Sequence, residues 1–476
     1  MKNILIKTLV TIFVGFSFQN CEKPLEEIVF SELAPENFLK TKEGINSVLN
    51  NAYAEQQRHG QNTFNAIATF QMPSGEVWNR GGSIESQLTP MRDYTWDSNS
   101  GRFNGEWTNN YEAIRDVNLV LDNLEKGDFD SDFVKNITAE AKFLRAKSMM
   151  DIYEYFGTGP MFLSSVFDEL QKPRASDAEW TGQIIKDMTE AMNALPANPA
   201  YGRASSGAAA GILCKFYLNQ KKWSDALAMA DKVIGTGQFE LYPTYIELFA
   251  IANEGNKEIV YTHPATSAGS GSSVQTNPLV FPPDYRRPAS IGLFAARLYF
   301  LDSFVDSFHP SDTRQAMLIK SYVNTAGNTI QGYGLDQTIT GKYELDQNAN
   351  GANQSNDWPE IRYADILLTK AECLNEINGP SQEGIDLLNR IRIRAEVPEL
   401  LLSNFTTKEN LRSAILEERS WEFAFEGKSR QDQIRHDVMI SRAQARGKNA
   451  QNFHVLFPIP QTEIDANKQL EQNPGY

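Results

Sequence analysis

Apolar residues recur along much of this chain with the period of an amphipathic helix. The clearest run lies at 207–236. Ala209, Ile212, Leu213, Phe216 and Tyr217 fall at i, i+3, i+4, i+7 and i+8. After the polar link Asn219-Gln220-Lys221-Lys222, the stripe resumes with Trp223, Ala226, Leu227, Ala230 and Ile234. The spacing predicts two helices folded into a hairpin, with small residues where the axes approach closely. Residues 362–396 follow the same plan. Ala364, Leu367, Leu368, Ala371 and Leu374 form the first stripe, Asn378-Gly379-Pro380-Ser381 the break, and Ile385, Leu388 and Ile391 the second. Upstream, Pro35 opens a helical pattern that Tyr53 closes. Trp107, Tyr111 and Ile114 start another that reaches Leu124. Ala141, Leu144, Ser148, Met149 and Ile152 mark a third, stopped by Phe156-Gly157-Thr158-Gly159-Pro160.

Hairpins of this size resemble tetratricopeptide units, but their spacing is uneven. Residues 59–103 lose the period and collect Gly, Ser, Asn and Arg with scattered aromatics. Residues 237–360 are rich in Pro, Gly, Asn and Ser. The expectation is a mainly α fold, an irregular tetratricopeptide-like scaffold in one domain over 35–476, with two long loop insertions carrying the ligand surface.

The first 20 residues break this pattern. Lys2 and Lys7 flank the start of a short apolar run, Thr8 to Phe18, which ends just before Cys21. That is too short to span a bilayer and reads as a secretory signal. A cysteine at the junction reads as a bacterial lipoprotein signal, with Cys21 as the lipidation site and 21–34 as a tether. Phe18-Gln19-Asn20 is bulkier and more polar than the usual junction. The net charge of −15 repels phosphate backbones and anionic lipid alike, which leaves nucleic acid out and gives membrane attachment to the acyl chains. Cys214 and Cys373 lie in helical stripes and read as small core residues.

Five blocks carry a family resemblance. They are Glu140-Ala141-Lys142-Phe143-Leu144-Arg145-Ala146 with Tyr155-Phe156-Gly157, then Gly202-Arg203-Ala204 through Ala209, then Trp358-Pro359-Glu360-Ile361-Arg362-Tyr363-Ala364-Asp365. The last two are Glu418-Arg419 through Gly427, and the tail from Pro458-Ile459-Pro460 to Gln472-Asn473-Pro474-Gly475-Tyr476. In this order they resemble the SusD/RagB family of nutrient-uptake lipoproteins. The resemblance implies a single helical domain lying over a SusC-like TonB-dependent transporter at the outer membrane, surface-exposed and lipid-anchored. Its implied role is to capture oligosaccharides (peptides in some members) without catalysis or cofactor.

The residues themselves offer little chemistry. Gly427-Lys428-Ser429 imitates a phosphate loop, but Glu422 stands where that loop needs glycine. The five histidines show no ligand spacing, so no metal site is expected, and no Gly-x-Ser-x-Gly elbow is present. Glu418, Glu422 and Glu426 share one helix face. With Arg419, Arg430 and Arg435 nearby they read as a charge network; the alternative is a helical glycoside hydrolase working through Glu422. Sugar rings stack on aromatic faces while polar side chains satisfy their hydroxyls. Trp78 and Arg80 in the first insertion, Trp96 nearby, and Tyr285 and Arg286 between prolines in the second are therefore the expected ligand contacts.

Overall fold

The computed structural model describes residues 35–60, 66–80, 84–167, 169–268, 279–292 and 298–476. The signal, the tether and Cys21 lie outside the described residues.

The chain is mainly helical. Helices Lys42–Gly60, Gly101–Leu124, Ser131–Phe156, Asp177–Ala194 and Ser206–Asn219 pack in a row, each against a neighbour in sequence. Side-chain caps set where several begin. Asp130 accepts from the Phe133 N–H, and Ser176 forms a reciprocal capping box with Glu179. The sequence reading passed over Asp177–Ala194, although this box precedes a clean stripe of Trp180, Ile184, Met188 and Ala191.

The two hairpins are Ser206–Asn219 with Trp223–Gly235, and Tyr363–Asn378 with Gln382–Arg394. They stack through Trp223–Gly235 lying along Tyr363–Asn378. Gly211 permits a close approach in this frame: a Cβ there would meet Val260 Cγ1 at 3.1 Å and Ile361 Cγ2 at 3.4 Å.

Among the described residues are eight short strands in four antiparallel pairs. β1 (Val77–Asn79) pairs with β3 (Leu298–Phe300), and β2 (Ile259–His263) with β8 (Trp358–Arg362). β4 (Leu318–Ile319) pairs with β7 (Ile339–Thr340), and β5 (Ser321–Val323) with β6 (Thr329–Gln331). The insertions are therefore not structureless. Within 59–103, residues Ala66–Ser74 are buried as a π turn and a 3-10 turn, and Glu85–Asp93 is a helix containing Pro90. Short elements of this kind lack a full helical period, which hides them from a periodicity reading.

The family-like blocks supply a buried ion network. Arg362 Nη1 lies 2.5 Å from Glu258 and 2.8 Å from Glu422, and Nη2 lies 2.7 Å from Glu426. Arg394 bridges Glu258 (2.9 Å) and Glu422 (2.5 Å), while Lys342 meets Glu426 at 2.5 Å. Arg314 joins Asp312 and Glu418 at 2.7 Å each. A second cluster links Arg419 to Asp365 and Asp432, and Arg435 to Glu372 and Asp432. Burial pushes the Glu422 carboxyl up, but Arg394, Arg362 and Arg314 outweigh it and hold the group at about 2. Asp365 and Glu372 are also held below the usual carboxylate range, burial being overcome by Arg419 and by Arg435 respectively.

Two outcomes follow from this network. Arg362→Met leaves three buried carboxylates short of a partner, so urea unfolding should show a loss of more than about 3 kcal/mol; an unchanged midpoint would refute the hub. Glu422 has a folded pKa of about 2 against an ordinary 4.5. Its contribution is therefore complete above about pH 4.5 and is lost as pH falls toward 2. Stability measured from about pH 7 downward should hold to about pH 5 and then decline. A flat profile through about pH 3 would contradict the assignment.

Candidate ligand-binding site

The first insertion reaches the second through β1 and β3. Val77, Asn79, Leu298 and Phe300 are buried. The two-residue period of a strand turns Trp78 and its cross-strand partner Tyr299 to the other face, where both are half-buried. The Trp78 indole N–H donates to the Asp336 carbonyl. Asp336 sits in the left-handed region at φ 54°. Reciprocal bonds fix it: the Asp302 N–H donates to Asp336 Oδ1 at 2.7 Å, and the Asp336 N–H to Asp302 Oδ2 at 3.0 Å.

A second group of rings lies at the β5–β6 hairpin. Tyr322 is half-buried there, and its ring lies 5.2 Å from that of Tyr285, which in turn packs 4.5 Å from Phe281. Burial first, then the hydrogen bond to Asp284 and the charges of Asp284 and Tyr299, hold the Tyr322 phenol above its usual range. Burial likewise raises Tyr285. Trp78 is thus paired with Tyr299 and Tyr285 with Tyr322, and the Tyr299 phenol lies within electrostatic range of Tyr322. The sequence reading missed Tyr299 and Tyr322. The turn-rich run Asn324-Thr325-Ala326-Gly327-Asn328 between two short segments was the available signal for the hairpin that places Tyr322.

Arg80 is exposed two residues beyond Trp78, just past the end of β1. Arg286 is exposed beside Tyr285, its Nε 3.3 Å from the Asn324 carbonyl. Trp96 is a correction. It is 5% exposed. Its N–H donates to Tyr476 Oη at 2.7 Å, and Tyr94, Phe103, His454 and Phe457 surround the ring. The indole closes the core over the C-terminal tail and has no face left for a sugar.

The strip is tied to the frame through Glu76, two residues before Trp78. Its buried carboxylate accepts from Ser420 and Ser429 at 2.7 Å each and from Gln71 at 2.8 Å. Burial raises this carboxyl above its ordinary value against those three bonds.

Two concavities away from the strip have different chemistry. One of about 570 Å³ lies between helix Gly101–Leu124 and residues 160–171, and presents mostly apolar surface from Tyr111, Phe162, Phe167 and Leu170. The other, about 80 Å³, holds Lys147, Asp151, Glu154, His263 and Glu360. Burial lifts Asp151 to about 7 even though Lys147 Nζ is 2.6 Å away. A space this small holds a few waters rather than a sugar ring.

Comparison with known proteins agrees with this architecture. A family model described as "SusD family" matches residues 203–476, and another described as "Starch-binding associating with outer membrane" matches 25–218. A SusD-like protein of Formosa agariphila is 25% identical over 98% of this chain and 99% of its own length. The starch-binding protein SusD of Bacteroides thetaiotaomicron is 23% identical over 85% and 84%. A solved structure described as a laminarin-binding SusD-like protein superposes with a TM-score of 0.80 at 24% identity, covering 92% of this chain and 100% of that one. The first of these models alone spans more than half of the sequence, and the chain belongs to the SusD/RagB family.

Proposed function

We propose that this protein captures oligosaccharides at the cell surface and passes them to a SusC-like TonB-dependent transporter in the outer membrane. The observation that carries the reading is the half-buried aromatic strip of Trp78, Tyr299, Tyr322 and Tyr285, anchored to a rigid helical frame with Arg80 and Arg286 exposed beside it. Such rings stack on the C–H faces of sugars, while arginine, asparagine and aspartate serve the hydroxyls. Relatives described as starch-binding and laminarin-binding support carbohydrate as the ligand class. The carboxylate that a hydrolase reading would use, Glu422, is fully buried among Arg314, Arg362 and Arg394, which supports binding without turnover. Lipid at Cys21 supplies the anchor in this reading, since no described helix is long and apolar enough to cross a membrane.

The soluble chain from Glu22 onward, screened against glycans and peptides, should bind a glycan and release no product. Trp78→Ala and Tyr285→Ala should each weaken that binding roughly tenfold at unchanged folding. Unaltered affinity in both variants would remove the strip from the site, and binding confined to peptides would make this a peptide-capturing member. In cells, Cys21→Ala should move the protein out of the membrane fraction, and the wild-type protein purified from solubilised membranes should bring a large barrel protein with it. Membrane retention of the variant, or purification without a barrel, would overturn the corresponding half of the proposal.

A further inference from the structure

We propose that Asp284 is the positioning residue of the aromatic strip, locking the Tyr285 loop to the β5–β6 hairpin so that Tyr322 and Tyr285 are set before a ligand arrives. The functional consequence rests on the capture reading above, whereas the clamp itself is a matter of geometry.

Asp284 Oδ1 accepts from the Tyr322 hydroxyl at 2.9 Å, and Oδ2 accepts from Asn324 Nδ2 at 3.1 Å. The Asp284 carbonyl accepts from the Thr325 N–H at 2.8 Å. Three bonds therefore run from one residue of the loop to three of the hairpin. Asn324 is 8% exposed, and the orientation of its amide is determined. Its Oδ1 accepts from the N–H groups of Ala326 (3.1 Å) and Asn328 (2.9 Å), which close the hairpin turn. Its Nδ2 must then face Asp284, where it needs an acceptor. Around this pair, Tyr285 forms a backbone bridge with Asn324, and Arg286 Nε reaches the Asn324 carbonyl. Arg287 folds back, its Nη1 donating to the carbonyls of Pro283 (3.0 Å) and Tyr285 (2.9 Å).

A tyrosine held by its ring alone keeps rotamer and hinge freedom that a ligand must remove on binding. Here the phenol oxygen of Tyr322 is pinned at one end and its ring packs at a 52° tilt against Tyr285 at the other. Among the described residues no cation pairs with either carboxylate oxygen of Asp284. Its role is acceptance, and a side chain of the same shape that can still accept from Asn324 can replace it. Asparagine meets that requirement: its oxygen accepts from Asn324 Nδ2 while its NH₂ donates to the Tyr322 oxygen. Alanine does not.

The experiment uses the soluble chain from Glu22 with two variants, Asp284→Ala and Asp284→Asn, and a panel of neutral and acidic oligosaccharides. Asp284→Ala should weaken binding of whichever glycan the wild type takes by about tenfold while the chain remains folded by circular dichroism. Asp284→Asn should stay within about threefold of wild type. Equal loss in both variants would make Asp284 a direct ionic contact, and no loss in the alanine variant would remove it from the site; either overturns positioning. Tyrosine-selective NMR titration reads the clamp without a ligand. In both variants the Tyr322 phenol should titrate at lower pH than in wild type, because the carboxylate that raised it is gone; an unmoved titration overturns the geometry. A wild-type chain that binds no glycan or peptide would defeat the capture reading, while the Tyr322 titration would still decide the clamp.

Discussion

Arg362 meets Glu258, Glu422 and Glu426, and neither it nor any of these carboxylates is exposed. A buried ion is costly unless its partners and hydrogen bonds are all in place, so this cluster forms only when four separate stretches of chain arrive together. Glu258 precedes β2, Arg362 ends β8, Glu422 closes helix Lys408–Glu422, and Arg394 closes the second hairpin. Lys342, from farther along the second insertion, joins by donating to Glu426, to Tyr245 Oη at 2.8 Å and to the Ala424 carbonyl at 2.7 Å. Hydrophobic packing brings the helices together, and the ion network makes one arrangement of them acceptable.

The strip inherits its position from that arrangement. Thr338, four residues before Lys342, receives the Phe300 N–H at 2.8 Å, and Phe300 adjoins Tyr299. The Leu301 N–H donates to the Glu76 carbonyl, while the Glu76 carboxylate is held by Ser420 and Ser429. Trp78 and Tyr299 are thus fixed from both sides by elements whose own placement depends on buried charge. The outer end, Tyr322 and Tyr285, is farther from the network and has its own fastening at Asp284. If the strip is the proposed capture surface, this division gives it a firm floor and a locally set rim.

The family-like blocks now have separate physical meanings. Arg362, Asp365, Glu418, Arg419, Glu422 and Glu426 are charge partners in the core. The terminal Gln472-Asn473-Pro474-Gly475-Tyr476 is a clasp: Asn473 Nδ2 donates to the carbonyls of Phe156 (2.9 Å) and Phe457 (2.8 Å), and Tyr476 Oη to that of Leu456. Among the described residues, the hydrogen bonds and ring contacts of Trp78, Tyr285 and Tyr322 involve none of these blocks. A resemblance built on them identifies the frame and is silent about the ligand.

The amino-acid sequence alone was enough for the mainly helical frame, because helical periodicity is a local property written in every i, i+3, i+4 stripe. It was also enough to expect a charge network at Glu418, Glu422 and Glu426, but not its partners: Arg314, Arg362, Arg392, Arg394 and Lys342 neutralise them rather than Arg419, Arg430 and Arg435, and helix Lys408–Glu422 ends before Glu426. Trp78 and Tyr285 could be singled out as aromatics in polar, turn-rich settings. Whether such a ring is free is a different kind of fact, decided by what the rest of the chain places against it. Trp96 has the same local setting and is covered by Phe103, His454, Phe457 and Tyr476, mostly from hundreds of residues away. Tyr299 and Tyr322 lie in strands of three residues, too short to leave a period, and join the strip only through pairings across the two insertions. Only the tertiary structure could decide the strip, because burial, cross-strand register and the Asp284 clamp are relations between distant segments.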